Sequence, residues 1–311
     1  MGRHSRPSSS GPSRPSRFAT GVAHDRGPFP SGEGSSSSSR EAAGGTIITS
    51  RRNPVIQDVR NLVASSSRRA ARCVVEGWRV LETAVASGAE IQLVLCTPAA
   101  AADPRARAIQ GSLRAREVRL VTVSPYVFKS LTQVETPQGV FAVLRRPPEA
   151  SSSILRDRRA LLAVLDGVQD PGNVGTILRT AAAAGATAAA IVGSTANPFG
   201  PKAIRASAGA VFRLPLLHFG YPGEALAALQ REGIRILIAD PRGEQSEAEA
   251  SFLRPLALVF GGEGAGTAPA WRPHGSTIRL PMAGEVESLN VAAAAAVLLY
   301  AAARVDTTID A

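Results

Sequence analysis

The stretch Leu280-Pro-Met-Ala-Gly-Glu-Val-Glu-Ser-Leu-Asn290-Val-Ala-Ala-Ala-Ala-Ala-Val-Leu-Leu-Tyr300 sets the terms for the rest of the chain. A polar loop containing Gly284 runs into a helix whose opening residues include Ser288 and Asn290, types that favour caps over helix interiors. Beyond Asn290 nearly every residue is Ala, Val or Leu, which leaves little polar surface for water and predicts a helix buried on most sides. Polar side chains at the mouth of such a helix need partners, either local backbone or a bound ligand.

Working outward, the preceding segments alternate between apolar strands and helices. Leu161–Leu165, Ala188–Val192, Phe212–Leu216, Ile234–Ala239, Leu256–Phe260 and Ile278–Leu280 read as strands. Helices are expected over Val174–Ala184, near Pro201–Gly209 and over Gly223–Glu232. Strands that are apolar throughout imply a mostly parallel sheet covered on both faces, an α/β domain over residues 161–305. A Pro- and Ser-rich linker over residues 147–160 separates it from a smaller α/β domain, residues 46–146. There Asn53 caps a helix beginning at Pro54, strands are expected at Cys73–Gly77, Ile91–Cys96, Val118–Val123 and Gly139–Leu144, and helices at Trp78–Ser87 and Pro125–Leu131. Residues 1–45, rich in Ser, Arg, Pro and Gly, are expected to be a disordered tail: a targeting segment, a basic RNA-binding arm or a solvated tail without a role.

Composition narrows the function classes. A 311-residue chain that is 44% hydrophobic but only 5% aromatic builds its core from Ala, Val and Leu, which argues against aromatic platforms as the main means of holding bases. Its net charge of +10 points to a polyanionic partner. Cys73 and Cys96 lack Cys-x-x-Cys spacing and the four histidines are scattered, so no disulfide framework and no metal site is expected. A reducing, cytoplasmic location follows from that cysteine usage, and no apolar run has the length of a membrane span.

Three motifs carry chemistry. In Asp166-Gly-Val-Gln-Asp-Pro-Gly-Asn173-Val-Gly-Thr-Ile-Leu-Arg179, Asn173 reads as a helix N-cap and Arg179 projects from a stripe of small residues. That Arg needs an anionic partner, a phosphate or, internally, Asp166 or Asp170. In Thr195–Pro215, Lys202, Arg205 and Ser207 lie on or beside one short helix and could read phosphates. In Leu258-Val-Phe-Gly-Gly-Glu-Gly-Ala-Gly266 a strand feeds a Gly-rich loop carrying Glu263. It lacks the Lys-Ser/Thr of a P-loop, and its carboxylate suits a ligand with hydroxyls or positive charge, such as a sulfonium. In the small domain, Arg51, Arg52, Arg68, Arg69 and Arg72 are candidate phosphate contacts, or a solvated helix face.

Together these motifs, over Leu161–Tyr300, resemble the SpoU (TrmH) family of SPOUT methyltransferases, which transfer a methyl group from S-adenosylmethionine to a ribose 2′-hydroxyl of rRNA or tRNA. The segment from Thr46 to Leu144 resembles the L30e-like substrate-binding domain that precedes many members. The resemblance implies an α/β fold with a deep C-terminal trefoil knot, a homodimer, and an RNA site completed by both subunits. It implies that the cofactor lies against Phe260, Gly261, Gly262, Glu263 and Gly264, against Ile278 and Leu280, and against the loop carrying Pro281, Met282, Ser288 and Leu289. It assigns catalysis and substrate positioning to Asn173, Arg179, Glu263, Ser288 and Asn290, without a metal, and a phosphate contact to Arg179; the residues alone add Arg52, Arg68, Arg69, Lys202, Arg205 and Ser207 as candidate RNA contacts. The chain departs from many relatives at Ala182–Ala184, where an acid and an aromatic are common, and at Ala301. The favoured substrate is 23S-type rRNA. A tRNA 2′-O-methyltransferase, a non-catalytic RNA-binding member and a dinucleotide-dependent oxidoreductase remain as alternatives.

Overall fold

The computed structural model describes residues 41–42, 45–65, 67–68 and 70–307, so the expectation for residues 1–40 lies outside the described residues, as does Arg69. A short antiparallel pair, β1 (Glu41–Ala42) and β2 (Gly45–Thr46), precedes helix α1 (Pro54–Ala64). The Asn53 side chain accepts from the Val55 N–H and Pro54 opens that helix, as its sequence predicts. Next come β3 (Arg72–Glu76), α2 (Trp78–Ala86), β4 (Ile91–Cys96), α3 (Pro98–Ala101), α4 (Pro104–Ala115), β5 (Arg119–Thr122), α5 (Pro125–Lys129) and β6 (Val140–Arg145). Their sheet has the order β3-β6-β4-β5, with β4 and β5 parallel and the other neighbours antiparallel.

The second half follows as β7 (Leu161–Asp166), α6 (Pro171–Ala183), β8 (Ala188–Val192), α7 (Pro201–Ala206), β9 (Leu216–Phe219), α8 (Pro222–Arg231), β10 (Arg235–Ala239), β11 (Gln245–Ser246), β12 (Leu256–Gly261), β13 (Ser276–Arg279) and α9 (Val291–Thr307). The seven strands form one sheet in the order β11-β13-β10-β12-β7-β8-β9, with every neighbouring pair parallel. Both faces are covered, which is why β7, β8 and β12 are buried at every position. Period-two alternation sorts the core: Leu161, Ala163 and Leu165 pack with α6 and α9, and Leu162 and Val164 with α8 and Trp271. The first of these clusters runs on into the small sheet through Trp78, Leu81 and Leu144, so the two halves share a core.

Several sequence expectations need correction. The proposed strand over Phe212–Leu216 is a 3-10 turn at Ala210–Phe212, and the strand starts at Leu216. Helices α3 and α4 were not expected, because Ala and Arg runs give little apolar periodicity; their starts are nevertheless capped by Thr97 and Asp103, each followed by proline. The linker is not free along its length: Ser152–Arg156 forms a 3-10 turn that buries Leu155 against the large sheet. In this single chain α9 is also not buried on most sides. It seats Ala292, Ala295, Leu298, Leu299 and Ala302 in the core but leaves Val297 45% and Tyr300 46% exposed.

Candidate active site

The carboxyl ends of adjacent parallel strands are where open α/β sheets place their ligands. Here β13, β10, β12 and β7 are successive neighbours, and the segments leaving β7, β12 and β13 carry Asn173, Glu263 and Ser288 with Asn290. After β12 the chain closes on itself: the Gly262 N–H donates to the Gly266 carbonyl at 3.1 Å and the Gly266 N–H returns to the Gly262 carbonyl at 2.9 Å. Only glycine permits this, since a Cβ on Gly261 would lie 2.1 Å from the Gly266 carbonyl carbon. Gly264 and Gly266 have positive φ and open space where a side chain would be, so the tip of the loop presents bare backbone.

Helix α6 delivers the next component. Asp170, not Asn173, is its N-cap: its carboxylate accepts from the Asn173 N–H at 3.0 Å, and Pro171 is the first helical residue. This correction matters, because the Asn173 amide is then free for other partners. Its Nδ2 donates to Glu263 Oε1, and its Oδ1 accepts from Asn290 Nδ2 at 3.2 Å. Asn290 in turn caps α9, its Oδ1 accepting from the Ala292 N–H at 2.9 Å. The relay has one direction: helix amides fix the Asn290 oxygen, which leaves its NH2 to point at Asn173 and the Asn173 NH2 to point at Glu263. Three residues separated by up to 117 positions thus meet at the mouth of the sheet.

Lys202 stands beside this relay, its Nζ 2.6 Å from Asp170 Oδ2. That ammonium, followed by the Asn173 and Gly172 amides, holds the Asp170 carboxyl below its ordinary value of 3.8. The other two members of the proposed phosphate-reading set are placed differently. Arg205 lies 3.8 Å from the buried Glu76 carboxylate of the small sheet. Burial pushes the Glu76 carboxyl above its ordinary 4.5, opposed by the Thr132 hydroxyl and by Arg205. Ser207 is buried and its hydroxyl donates to the Ile204 carbonyl at 2.9 Å, so these three residues do not form one surface.

Arg179 does not reach the relay of its own chain. Six residues beyond Asn173, it lies about 9 Å further along α6 and about 120° around it. Neither Asp166 nor Asp170 pairs with it: Asp166 accepts from the Ala268 N–H and from Trp271 Nε1, and Asp170 is held by Lys202. Arg179 is exposed, with no ion pair among the described residues. Ser288 lies in the exposed loop before α9, together with Pro281 and Leu289, while Met282 and Leu280 are half-buried. The side chains of Phe260 and Ile278 are buried, so only their backbone can meet a ligand. In the small half, Arg51 stacks on the Tyr126 ring at 3.9 Å and Arg52 is exposed. Arg72 forms a bidentate pair with Asp58, and Arg68 donates to the Gly193 and Thr195 carbonyls of the large half. Among the described residues no cluster of metal-ligating side chains occurs, and no helix is long and apolar enough to cross a membrane.

Residues 160–300 match the SpoU rRNA Methylase family, and residues 53–142 match the MRM3-like substrate binding domain. An uncharacterized tRNA/rRNA methyltransferase of Synechocystis sp. is 34% identical over 259 residues, 83% of this chain and 93% of that relative. The chain belongs to the SpoU family. Another relative, the 23S rRNA (guanosine(2553)-2′-O)-methyltransferase RlmP of Bacillus subtilis, is 31% identical over 255 residues, 81% of this chain and 97% of RlmP. The crystal structure of the SpoU methyltransferase AviRb from Streptomyces viridochromogenes, in complex with AdoMet, aligns with a TM-score of 0.71 at 30% identity, covering 81% of this chain and 98% of AviRb. The expected family and α/β fold are thereby established, and the dinucleotide-dependent oxidoreductase reading falls away. Sequence reasoning missed Asp170 as the helix cap, although Asp-Pro before a helix is a start signal. It also missed the Asp166–Trp271 bond, for which no local pattern exists.

Proposed function

We propose that this chain uses S-adenosylmethionine to methylate a ribose 2′-hydroxyl in 23S-type rRNA. The observation that carries the reading is the Asn290–Asn173–Glu263 relay, set against a glycine loop that presents backbone at the carboxyl ends of β10, β12 and β13. The residues present suit the cofactor. The bare backbone at Gly264 and Gly266 can take an adenosine, and the exposed Glu263 carboxylate favours a nearby cationic sulfonium. The bound cofactor supplies a methyl group already activated by its sulfonium, so the protein's tasks are positioning and proton removal. Asn173, locked by two partners, orients the ribose with its remaining N–H, and Asn290 fixes Asn173 from the end of α9. Ser288, from the loop before α9, contacts cofactor and substrate.

Arg179 acts across a two-fold homodimer, at the relay of the partner subunit, as phosphate contact and aid to deprotonation. Support comes from the apolar ridge of Val297 and Tyr300 on α9, which packs beside α6 and stays exposed among the described residues. A trefoil threading of the C-terminal segment accords with the close passage of Gly243, where a Cβ would lie 2.6 Å from the Ile278 carbonyl carbon. The small half, residues 46–146, presents the RNA, and the enzyme works in the cytoplasm, a reducing compartment that suits its free Cys73 and Cys96 thiols. Tritiated methyl transfer from S-adenosylmethionine to unmodified 23S rRNA and to tRNA transcripts tests the reading. Incorporation into 23S rRNA at a 2′-oxygen is expected; incorporation into tRNA alone, or into neither, overturns it.

A further inference from the structure

A second basic feature lies where the two halves of the chain meet. A cavity of about 430 Å³ opens between α2 and the α6–β9 region, within the roughly 300–1,000 Å³ typical of ligand sites. Arg79 and Thr83 of α2 face Arg179 of α6 and Arg213 across it, and Ala182 and Ala183 form part of its floor. None of its lining side chains is acidic. Arg79, Arg179 and Arg213 are exposed, and none has an ion pair among the described residues, whereas Arg72, Arg105, Arg145 and Arg205 each have an acid.

The cavity is built by close packing, not left over between loosely fitted halves. Gly209 has a φ of +83°, and a Cβ there would sit 2.9 Å from Thr83 Cβ, so this turn lets α2 approach the large half closely. The adjoining Ala208, also in the cavity wall, holds a φ of 50°, a conformation that non-glycine residues seldom adopt. Backbone held in such a region is a signature of functional sites. Three permanently charged guanidinium groups around one space, with no counter-charge among the described residues, call for an anion, and planar guanidinium forks match the oxygens of a phosphodiester.

We propose that this cavity is a binding site for the RNA backbone, in which Arg79 and Arg213 hold a phosphodiester beside Arg179. The inference rests on the RNA-methyltransferase reading above and deepens it, because it assigns a phosphate-holding role to a helix of the small half and to a turn of the large one. Phosphate contacts of this kind set register and carry no sequence information, so Arg79 and Arg213 act as positioning residues, while the choice of nucleotide is made elsewhere.

The test compares the full-length protein with the double variant Arg79→Ala/Arg213→Ala, using a 23S rRNA transcript and, separately, inorganic phosphate. Losing two phosphate contacts should flatten the dependence of log affinity on log salt by about 1.4, at about 0.7 per contact for single-stranded RNA. KM for the transcript should rise by about tenfold or more while kcat changes less, and the thermal shift given by S-adenosylmethionine should persist, which reports an intact fold. Arg79→Lys/Arg213→Lys should restore the salt slope, because charge is retained. An unchanged slope and KM overturn the proposal. Loss of phosphate-dependent thermal protection with unaltered RNA affinity makes it a free-phosphate site and also overturns it, as does a variant whose only defect is a change in dimer mass. Should the wild-type protein bind the transcript with the steep slope yet transfer no methyl group, the catalytic reading fails and this site stands.

Discussion

The two ends of α6 make opposite use of polar side chains. At the first turn, Asp170 is tied to Lys202, and Asn173 is tied to both Glu263 and Asn290. Two turns later Arg179 stands beside Arg79 and Arg213 with no acid among them. The first end is preorganised by the chain itself, and preorganised polar groups are what a reacting centre needs. The second is an unmet charge, which is what binding a polyanion needs. One helix of small residues thus carries a finished piece of machinery at one end and an open receptor at the other.

Breaking the finished end should have the largest effect. Asn173→Ala removes the middle of the relay and is expected to lower kcat by roughly 10²–10³, the usual loss for a positioned donor, while leaving the salt dependence of RNA binding unchanged. Rapid-quench assays with a 23S rRNA transcript measure this, and a loss confined to RNA affinity would show that the two ends do not divide the work in this way. A smaller effect on both ends at once is expected from Gly175→Ala. A Cβ there would lie 2.3 Å from the Ala203 carbonyl oxygen and 2.9 Å from the Ser207 nitrogen, so α6 and α7 must separate. Destabilisation of about 1–3 kcal/mol in chemical denaturation is expected from such overpacking, and a neutral result would mean the helices adjust freely.

The smallest effect sharpens the comparison by pH. Because the Asp170 carboxyl titrates below its ordinary 3.8 in the folded protein, chiefly through Lys202, its contribution to stability is full above that value. It fades as the pH falls through the lowered value. Asp170→Asn should therefore lower stability modestly at neutral pH, where the pair with Lys202 is lost although Asn still caps the helix, and flatten the acid limb of the stability profile below about pH 4. A variant whose acid limb is as steep as that of the wild type would assign that limb to other carboxylates.

Much of this arrangement was legible in the sequence, for stated reasons. Strands such as Leu161–Asp166 and Ala188–Val192 are apolar at every position because both faces of a parallel sheet are covered, and such runs are easily read. Asn173, Glu263 and Asn290 were each singled out by their surroundings: a helix start, a glycine loop and the mouth of an alanine-rich helix. What could not be read was which of them touch, because their meeting depends on strand order, and β10 between β12 and β13 has no local signature. The sequence pattern starts the helix late, at Val174, and so points to Asn173 as the cap; Pro171 in the first turn moves it back to Asp170. Arg79 lies in a segment without any motif, Arg213 lies at the end of Thr195–Pro215 away from the short helix that draws attention there, and only the docking of α2 on the turn at Gly209 brings them to Arg179.

The joint between the halves has a mechanical meaning. Arg68 reaches the Gly193 and Thr195 carbonyls, Asn197 donates to the Ser67 carbonyl, Arg205 approaches Glu76, and Thr83 lies against Gly209. With Leu155 also anchored, little slack remains in the tether between the sheets. These contacts favour a fixed span between the two sheets, like a pair of locked calipers, so that a substrate touching both halves meets a set distance.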